Sequence, residues 1–455
     1  MRRWSWLLAI LIAAGCGGGG GADPDGADAV EDPAPDAVDD AVDDVLEEEV
    51  WDPPPAAEDW SRDILSTGLV VDLATLEATA TIVLAASDGT AASFEADGLS
   101  VTSVDAPGGP LDFSVVDGRL DVGVPSDGSD PVIVVDYSFT EQSNYDGLLP
   151  GGYTFIWPYF CGNLFPCHSD PTDGLTFTLD LENVPTEMTA VFPDSIPADA
   201  PSYQIGWSVA EYTEHVLGVT DAGTTLSVWY LPGGESEALA GTASLLAGFD
   251  WYEDTLGPYP FGDRAGSVAV EWGAGAYGGM EHHPYWHVST LAMDDEYTHL
   301  HEAAHGWIGG GVRIACWEDF VLSEGTVTYL ATRALGQAAG PARELALWSS
   351  HDSQLNTIVS GPGDHVAWPD SCGEVDILAD LYTNVPYLKG AFFYRAVAAE
   401  IGADTLDGIL RLFFETYGGQ AAGMQDMLDM IQAESGFDPT DLASGWLRSL
   451  GRPDA

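Results

Sequence analysis

Residues 296–325 read EYTHLHEAAHGWIGGGVRIACWEDFVLSEG. Within them, His301-Glu302-Ala303-Ala304-His305 predicts a turn of helix with two histidines at i and i+4, stacked on one face. Two imidazoles so placed converge on one cation, and neutral imidazole suits zinc. Glu302 projects about 100° around the helix from His301, towards a water rather than the metal. A zinc ion acidifies a water that it binds, and a carboxylate at that angle takes the proton released. A catalytic zinc asks for three protein ligands and one open position. Glu324, nineteen residues after His305 and at the start of the next predicted helix, completes a His2Glu set for one Zn2+ per chain. Asp319, five residues before it, is placed to accept a hydrogen bond from a ligand imidazole.

Working outward, the texture differs on the two sides of this stretch. From about Trp60 to residue 234 the pattern is β. Leu175 to Leu181 alternate with period two. Phe113–Val116 and Arg119–Val124 flank Asp117-Gly118, a hairpin signal. Val132 to Val135 form a continuous apolar run, read as a strand more buried than the others, and Thr224–Leu231 is a further strand before Pro232-Gly233-Gly234. These readings give an all-β antiparallel sheet domain with a sandwich-like core over 60–234. After Gly234, Leu239, Thr242, Leu246 and Phe249 recur at helical spacing. A β stretch over Gly266–Trp272 follows. Helices are then predicted over about 294–310, 323–337, 340–357, 388–402, 404–417 and 423–434. The chain is multidomain: the second domain, 235–455, is α+β and mostly helical.

The metal motif and its surroundings together resemble the zinc signature of gluzincins of the aminopeptidase N and leukotriene-hydrolase type. His305-Gly306-Trp307-Ile308-Gly309 is similar to that family's His-x-Trp-Phe-Gly. Trp317 to Gly325 resemble its Trp-x-Asp-x-Trp-Leu-Asn-Glu-Gly, and Gly278-Gly279-Met280-Glu281-His282 resemble its Gly-x-Met-Glu-Asn strand. Tyr387-Leu388-Lys389-Gly390 looks like its Tyr-x-Lys-Gly segment, and Phe165 to Pro171 resemble its Phe-Pro-Cys segment in the β domain. The resemblance spans about 60–455 and implies a thermolysin-like catalytic domain. It implies that His301, His305 and Glu324 hold zinc and that Glu302 is general base and then proton donor. Tyr387 would donate its hydroxyl to the oxyanion, with Tyr382 supporting. Glu281 would bind the free α-ammonium of a peptide, while Gly278, Gly279 and Met280 offer backbone to an extended substrate.

Three positions depart from the family pattern. Trp157 stands where a second amine-binding acid or amide is expected, and an indole offers an ammonium only its π face. His282 replaces the asparagine after the strand glutamate. The sequence ends near Gly451 without the family's C-terminal helical domain, which implies a more open cleft. Removal of amino-terminal residues is the first expectation. A zinc endopeptidase with an open cleft is the alternative, and a non-catalytic peptide-binding lipoprotein is a third class. His282, His283, His287 and His299 lack ligand spacing and read as polar neighbours of the site.

The 455 residues carry 73 Asp+Glu against 13 Lys+Arg, a formal net charge of −60. Such a surface repels nucleic-acid phosphates and excludes a role built on electrostatic nucleic-acid binding. Residues 1–16, MRRWSWLLAILIAAGC, have a basic start and a short apolar run, an export signal rather than a span. They end in Ala13-Ala14-Gly15-Cys16, which resembles a bacterial lipobox, with Ala13 in place of the usual Leu. Cys16 is therefore expected to carry the lipid that forms the only membrane attachment, outside the cytoplasm and at the outer membrane. Residues 17–59 hold 16 Asp+Glu and no Lys or Arg, which predicts a disordered acidic tether. Residues 60–455 keep 57 acidic and 11 basic residues, a net charge of −46. Among the four remaining cysteines, three pairings are possible. Cys161–Cys167 with Cys316–Cys372 is the favoured one, and no CxxC pair supports a cysteine metal site.

Overall fold

The computed structural model describes residues 51–453, apart from positions 127, 144–145, 157–159, 274–276, 374 and 376–382. Cys16, Trp157 and Tyr382 therefore lie outside the described residues. No helix among those described is long and apolar enough to cross a membrane.

The β region is built on a seven-stranded sheet. Its order is Ser195–Ala200, Leu175–Glu182, Ile64–Asp72, Glu77–Leu84, Val132–Ser138, Ser100–Ala106 and Gly109–Pro110. One pair is parallel, Ile64–Asp72 beside Leu175–Glu182, so the sheet is mixed rather than purely antiparallel. A parallel neighbour needs a long crossover, and over a hundred residues of chain separate these two strands. The alternation in Leu175–Glu182 buries every second residue, as expected. The Asp117-Gly118 hairpin forms between Phe113–Val116 and Arg119–Gly123. Val132–Ser138 departs from its reading. Although its sequence is continuously apolar, only alternate residues are buried and the others are half-covered, because one face of the sheet packs less tightly than the other.

Two boundaries move. Residues 51–59, read as the end of the tether, lie against the β region. Trp51 donates its indole N–H to the Pro110 carbonyl at 2.6 Å. Asp59 N–H donates to Ser93 Oγ at 2.8 Å, and Ser93 N–H returns a bond to the Asp59 carbonyl at 2.8 Å. Pro53-Pro54-Pro55 favours an extended backbone, so docking this segment orders little that was free. The second boundary is that between the two regions. Thr213–Val219 and Thr225–Tyr230 were read with the β domain. They belong instead to a five-stranded sheet, continuing through Arg264–Val270, Tyr285–Ser289 and Gly279–Met280. Thr225–Tyr230 pairs in parallel with Arg264–Val270, a long-range pairing that local patterning does not reveal.

Nine helices follow among the described residues: α1 Glu235–Gly241, α2 Leu245–Leu256, α3 Glu296–Ala304, α4 Phe320–Ala339, α5 Pro341–Val359, α6 Val385–Ile401, α7 Ala403–Tyr417, α8 Met424–Ser435 and α9 Thr440–Trp446. The metal-motif helix α3 is shorter than the predicted 294–310. It stops at Ala304 with His305 as its C-cap, and a glycine-rich turn follows. Arg313 fastens the helical region to the β region. Its guanidinium donates to the carbonyls of Thr172 (3.3 Å), Asp199 (3.2 Å) and Gly419 (3.1 Å). Both favoured disulfides form, Cys161–Cys167 and Cys316–Cys372.

Helices α4 and α6 cross at two glycines. A Cβ placed on Gly390 would lie 2.5 Å from the Gly325 Cα, so only glycine at both positions allows this approach. The crossing sets Glu324 on α4 beside the first turn of α6. Lys389, fully buried on α6, donates to Asp364 (2.9 Å) and to the carbonyls of His365 (2.8 Å) and Ser449 (2.9 Å). A buried cation so tied is costly to break from one side. Lys389→Met should destabilise the fold by about 3–5 kcal/mol, read as a lower urea midpoint at unchanged m-value.

Candidate active site

Helix α3 is buried on nearly every side, and its backbone is pinned from beneath. Tyr252 donates its hydroxyl to the Leu300 carbonyl at 2.9 Å. His283 bonds the Glu302 carbonyl through Nε2 at 2.9 Å and meets the Tyr259 hydroxyl at Nδ1, 2.7 Å away. A carbonyl only accepts, so Nε2 carries the proton and Tyr259 donates to Nδ1. Burial lowers the His283 pKa to about 3 and holds the ring neutral. His299 and His287 are likewise satisfied locally. His299 bonds Met293 O and Ser267 Oγ, and His287 bonds Thr154 O and Ser208 Oγ. The His282 ring packs edge-on against His287, with centroids 4.8 Å apart. These four are structural neighbours, as expected.

His301 and His305 present Nε2 to the same point. His301 Nε2 lies 3.0 Å from Glu324 Oε2, and His305 Nε2 lies 3.5 Å from the same oxygen. One ligand atom from each of these three buried side chains falls within 4.8 Å of the others. The opposite nitrogens are occupied. His305 Nδ1–H donates to the Ile308 carbonyl at 3.2 Å, and His301 Nδ1 lies 3.4 Å from the Tyr297 hydroxyl. Both imidazoles thus turn Nε2 inward, and the N2O donor set fits a tetrahedral zinc ion with one side left to the cavity. Asp319 takes no part in orienting an imidazole. Its Oδ1 accepts from Trp368 Nε1 (3.0 Å) and from Met424 N–H (2.8 Å) at the start of α8. It ties together distant pieces of chain, and backbone and tyrosine groups orient the histidines instead.

Glu302 and Glu281 share a second cluster with His305, again within 4.8 Å. Burial disfavours charge on Glu302, and although His305 opposes this, the Glu281 and Glu324 carboxylates add to it. The net effect raises its pKa well above the carboxylate range. Burial also raises Glu281, which is held by a hydrogen bond from Tyr203. Tyr203 escaped the sequence reading: it sits in a short helical turn of the β region with no motif around it. Gly279–Met280 is the last strand of the five-stranded sheet, paired only with Tyr285–Ser289 among the described residues. Any Cβ on Gly279 would fall 2.5 Å from the Glu302 side chain, so that edge strand lies directly over the base.

Tyr387 is half-buried in the first turn of α6. Its ring stacks on His301, with centroids 5.8 Å apart and planes 18° from parallel, and meets Phe320 edge-on. Burial, reinforced by Glu324, Glu281 and Glu302, raises its pKa well above 10, which keeps the hydroxyl a donor. The metal set, Glu302, Glu281 and Tyr387 open on one cavity of about 820 Å3. It is lined by the metal set, Gly278 to Glu281, Glu302 and Tyr387. Phe155, Tyr277 and Leu388 also line it, as do residues of α4, α5 and the segment before α3.

The chain has known relatives. Residues 288–446 match the peptidase family M1 domain. Aminopeptidase N of Streptomyces lividans is 26% identical over 224 residues, 45% of this chain and 25% of that protein. Aminopeptidase M1-B of rice, Oryza sativa subsp. japonica, is 25% identical over 324 residues, 64% of this chain and 36% of that protein. The chain thus spans about a quarter to a third of the length of these relatives. In three dimensions it is similar to an M1 zinc metallopeptidase from Deinococcus radiodurans. The TM-score is 0.74 at 17% identity, covering 87% of this chain and 95% of that one. Residues 288–446 thus match the peptidase family M1 domain, and the fold is similar to that of the Deinococcus zinc metallopeptidase.

Proposed function

We propose that this protein is a zinc-dependent aminopeptidase, removing residues one at a time from the free amino ends of peptides. The carrying observation is Glu281: a buried carboxylate at the end of an open strand edge, grouped with Glu302 and His305. An anion there suits an α-ammonium and fixes the first peptide bond over the metal set. The strand edge at Gly278–Met280 offers main-chain groups to the rest of the peptide.

When bound, zinc supplies a Lewis acid that polarises both the scissile carbonyl and a water. Glu302 accepts the proton of the attacking water and, now a carboxylic acid, gives it to the departing amine nitrogen. The Tyr387 hydroxyl donates to the carbonyl oxygen as negative charge grows on it. Water is consumed, the C–N bond breaks, and an amino acid and a shortened peptide leave. The sequence at residues 1–16 supports export and lipid attachment through Cys16, so the substrates would be met outside the cytoplasm. The tether would hold the enzyme off an outer-membrane surface.

Matched peptides with free and acetylated amino ends test the exopeptidase reading. The zinc-loaded protein should cleave only the free set, from the amino end. Glu281→Gln should lower kcat/KM on that set by about ten- to a hundredfold, the loss of one charge-assisted hydrogen bond. Internal cleavage of both sets would replace this reading with the endopeptidase one. Stoichiometric peptide binding without turnover would replace it with a binding protein.

A further inference from the structure

The cavity has a direction. Glu281, which anchors the amine, groups with His305 at the carboxy end of α3. Asp294 and Asp295 precede the amino end of that helix and line the same cavity. At 1.5 Å per residue the two ends are about 15 Å apart, with His301 between them. A peptide anchored at Glu281 and cut at the metal set must therefore send its leaving half towards Asp294 and Asp295. Leu347, Ser350, His351 and Gln354 of α5 line the same cavity.

His351 shows what this side asks of a ligand. It is 4% exposed and lines the cavity. Its Nε2 meets Thr332 Oγ1 at 3.1 Å, and Thr332 Oγ1 already donates its single proton to the Thr328 carbonyl at 2.8 Å. The hydroxyl oxygen can only accept, so Nε2 carries the ring proton. Burial lowers the His351 pKa to about 4, which leaves the ring neutral. Nδ1 is then a lone pair, buried and without a hydrogen-bond partner among the described residues. This side thus has an acceptor buried in its wall and two carboxylates, of which Asp295 already accepts from Thr298 Oγ1 at 2.8 Å. No Lys or Arg is among the described residues that line the cavity.

We infer that the leaving-group side of the cleft selects a cationic, hydrogen-bond-donating side chain, lysine or arginine, at the second residue of the substrate. The inference rests on the aminopeptidase reading, which sets the direction of the peptide. An extended chain advances about 3.3 Å per residue, so a long basic side chain just past the scissile bond reaches from the metal set towards the aspartates. The same field works against a carboxylate there. Dipeptides, whose terminal carboxylate falls on that side, and peptides with Glu second should be poor substrates.

The test compares Leu-Lys-Ala-Ala, Leu-Leu-Ala-Ala and Leu-Glu-Ala-Ala amides, with kcat/KM measured on the zinc-loaded protein. Lys should exceed Leu by about tenfold, and Leu should exceed Glu by a similar factor. Asp294→Asn and His351→Leu should each lower the Lys-to-Leu ratio at least about threefold. A variant that merely folds poorly lowers both rates and leaves the ratio. Calorimetric binding of the same peptides to Glu302→Gln gives a readout independent of turnover. Equal rates and equal binding for the three peptides would overturn the inference, as would an unchanged ratio in both variants. A Lys preference in binding, with no amino-terminal cleavage by the wild type, would support the pocket and overturn the aminopeptidase reading.

Discussion

Glu302→Gln should lower kcat by about 10³- to 10⁴-fold while zinc content stays at one per chain. The reasons lie in how this side chain differs from its neighbours. Glu324 makes close contacts with both histidines at 3.0 and 3.5 Å, so its charge is turned to the point where the two imidazoles meet. Glu302 belongs to the other cluster, with Glu281 and His305. Buried there among like charges, its pKa is raised well above the usual carboxylate range. Glu302 also lines the cavity, where it can take a proton from a water and give it back, whereas Glu324 is engaged by both histidines. Glutamine keeps the shape and the hydrogen-bonding oxygen but cannot take the proton. The ligand set is untouched, so metal analysis should match the wild type, and KM should change far less than kcat. A variant retaining a tenth of the wild-type rate would remove Glu302 from the role of base.

Some of this site was legible in the sequence because helical geometry is local. Two histidines four residues apart on a helix must share a face, and that is where His301 and His305 stand. The cysteine pairings and the hairpin at Asp117-Gly118 were legible for the same reason of short range or few alternatives. Other features depended on contacts far along the chain. Asp319 was read as a partner for a ligand histidine on spacing alone, but it bonds Met424, 105 residues away. Tyr203 reaches Glu281 from a turn whose sequence carries no chemical signal. Thr213–Tyr230 has the pattern of any strand pair, and only its parallel pairing with Arg264–Val270 assigns it to the second sheet. The value of His351 came from a chain of proton assignments through Thr332 and Thr328 that no spacing encodes.

Tyr387→Phe should lower kcat by about 10²- to 10³-fold with little change in KM. The prediction follows from where the hydroxyl sits and when it acts. The Gly325–Gly390 contact brings α6 against α4, and Tyr387 lies one turn before that contact. Its ring is fixed by stacking on His301 and by the edge of Phe320, and phenylalanine retains both contacts. What the substitution removes is a single donor in a buried, strongly negative surrounding that keeps it protonated. A ground-state carbonyl oxygen draws little from that donor, whereas the same oxygen with a full charge draws several times more. The loss should therefore fall on the transition state. Steady-state kinetics on a free tetrapeptide, with zinc content measured alongside, separate the cases. A drop in kcat at constant KM and full zinc assigns the hydroxyl to the oxyanion. A rise in KM at constant kcat would make Tyr387 a substrate-binding residue, and loss of zinc would place it among the supports of His301.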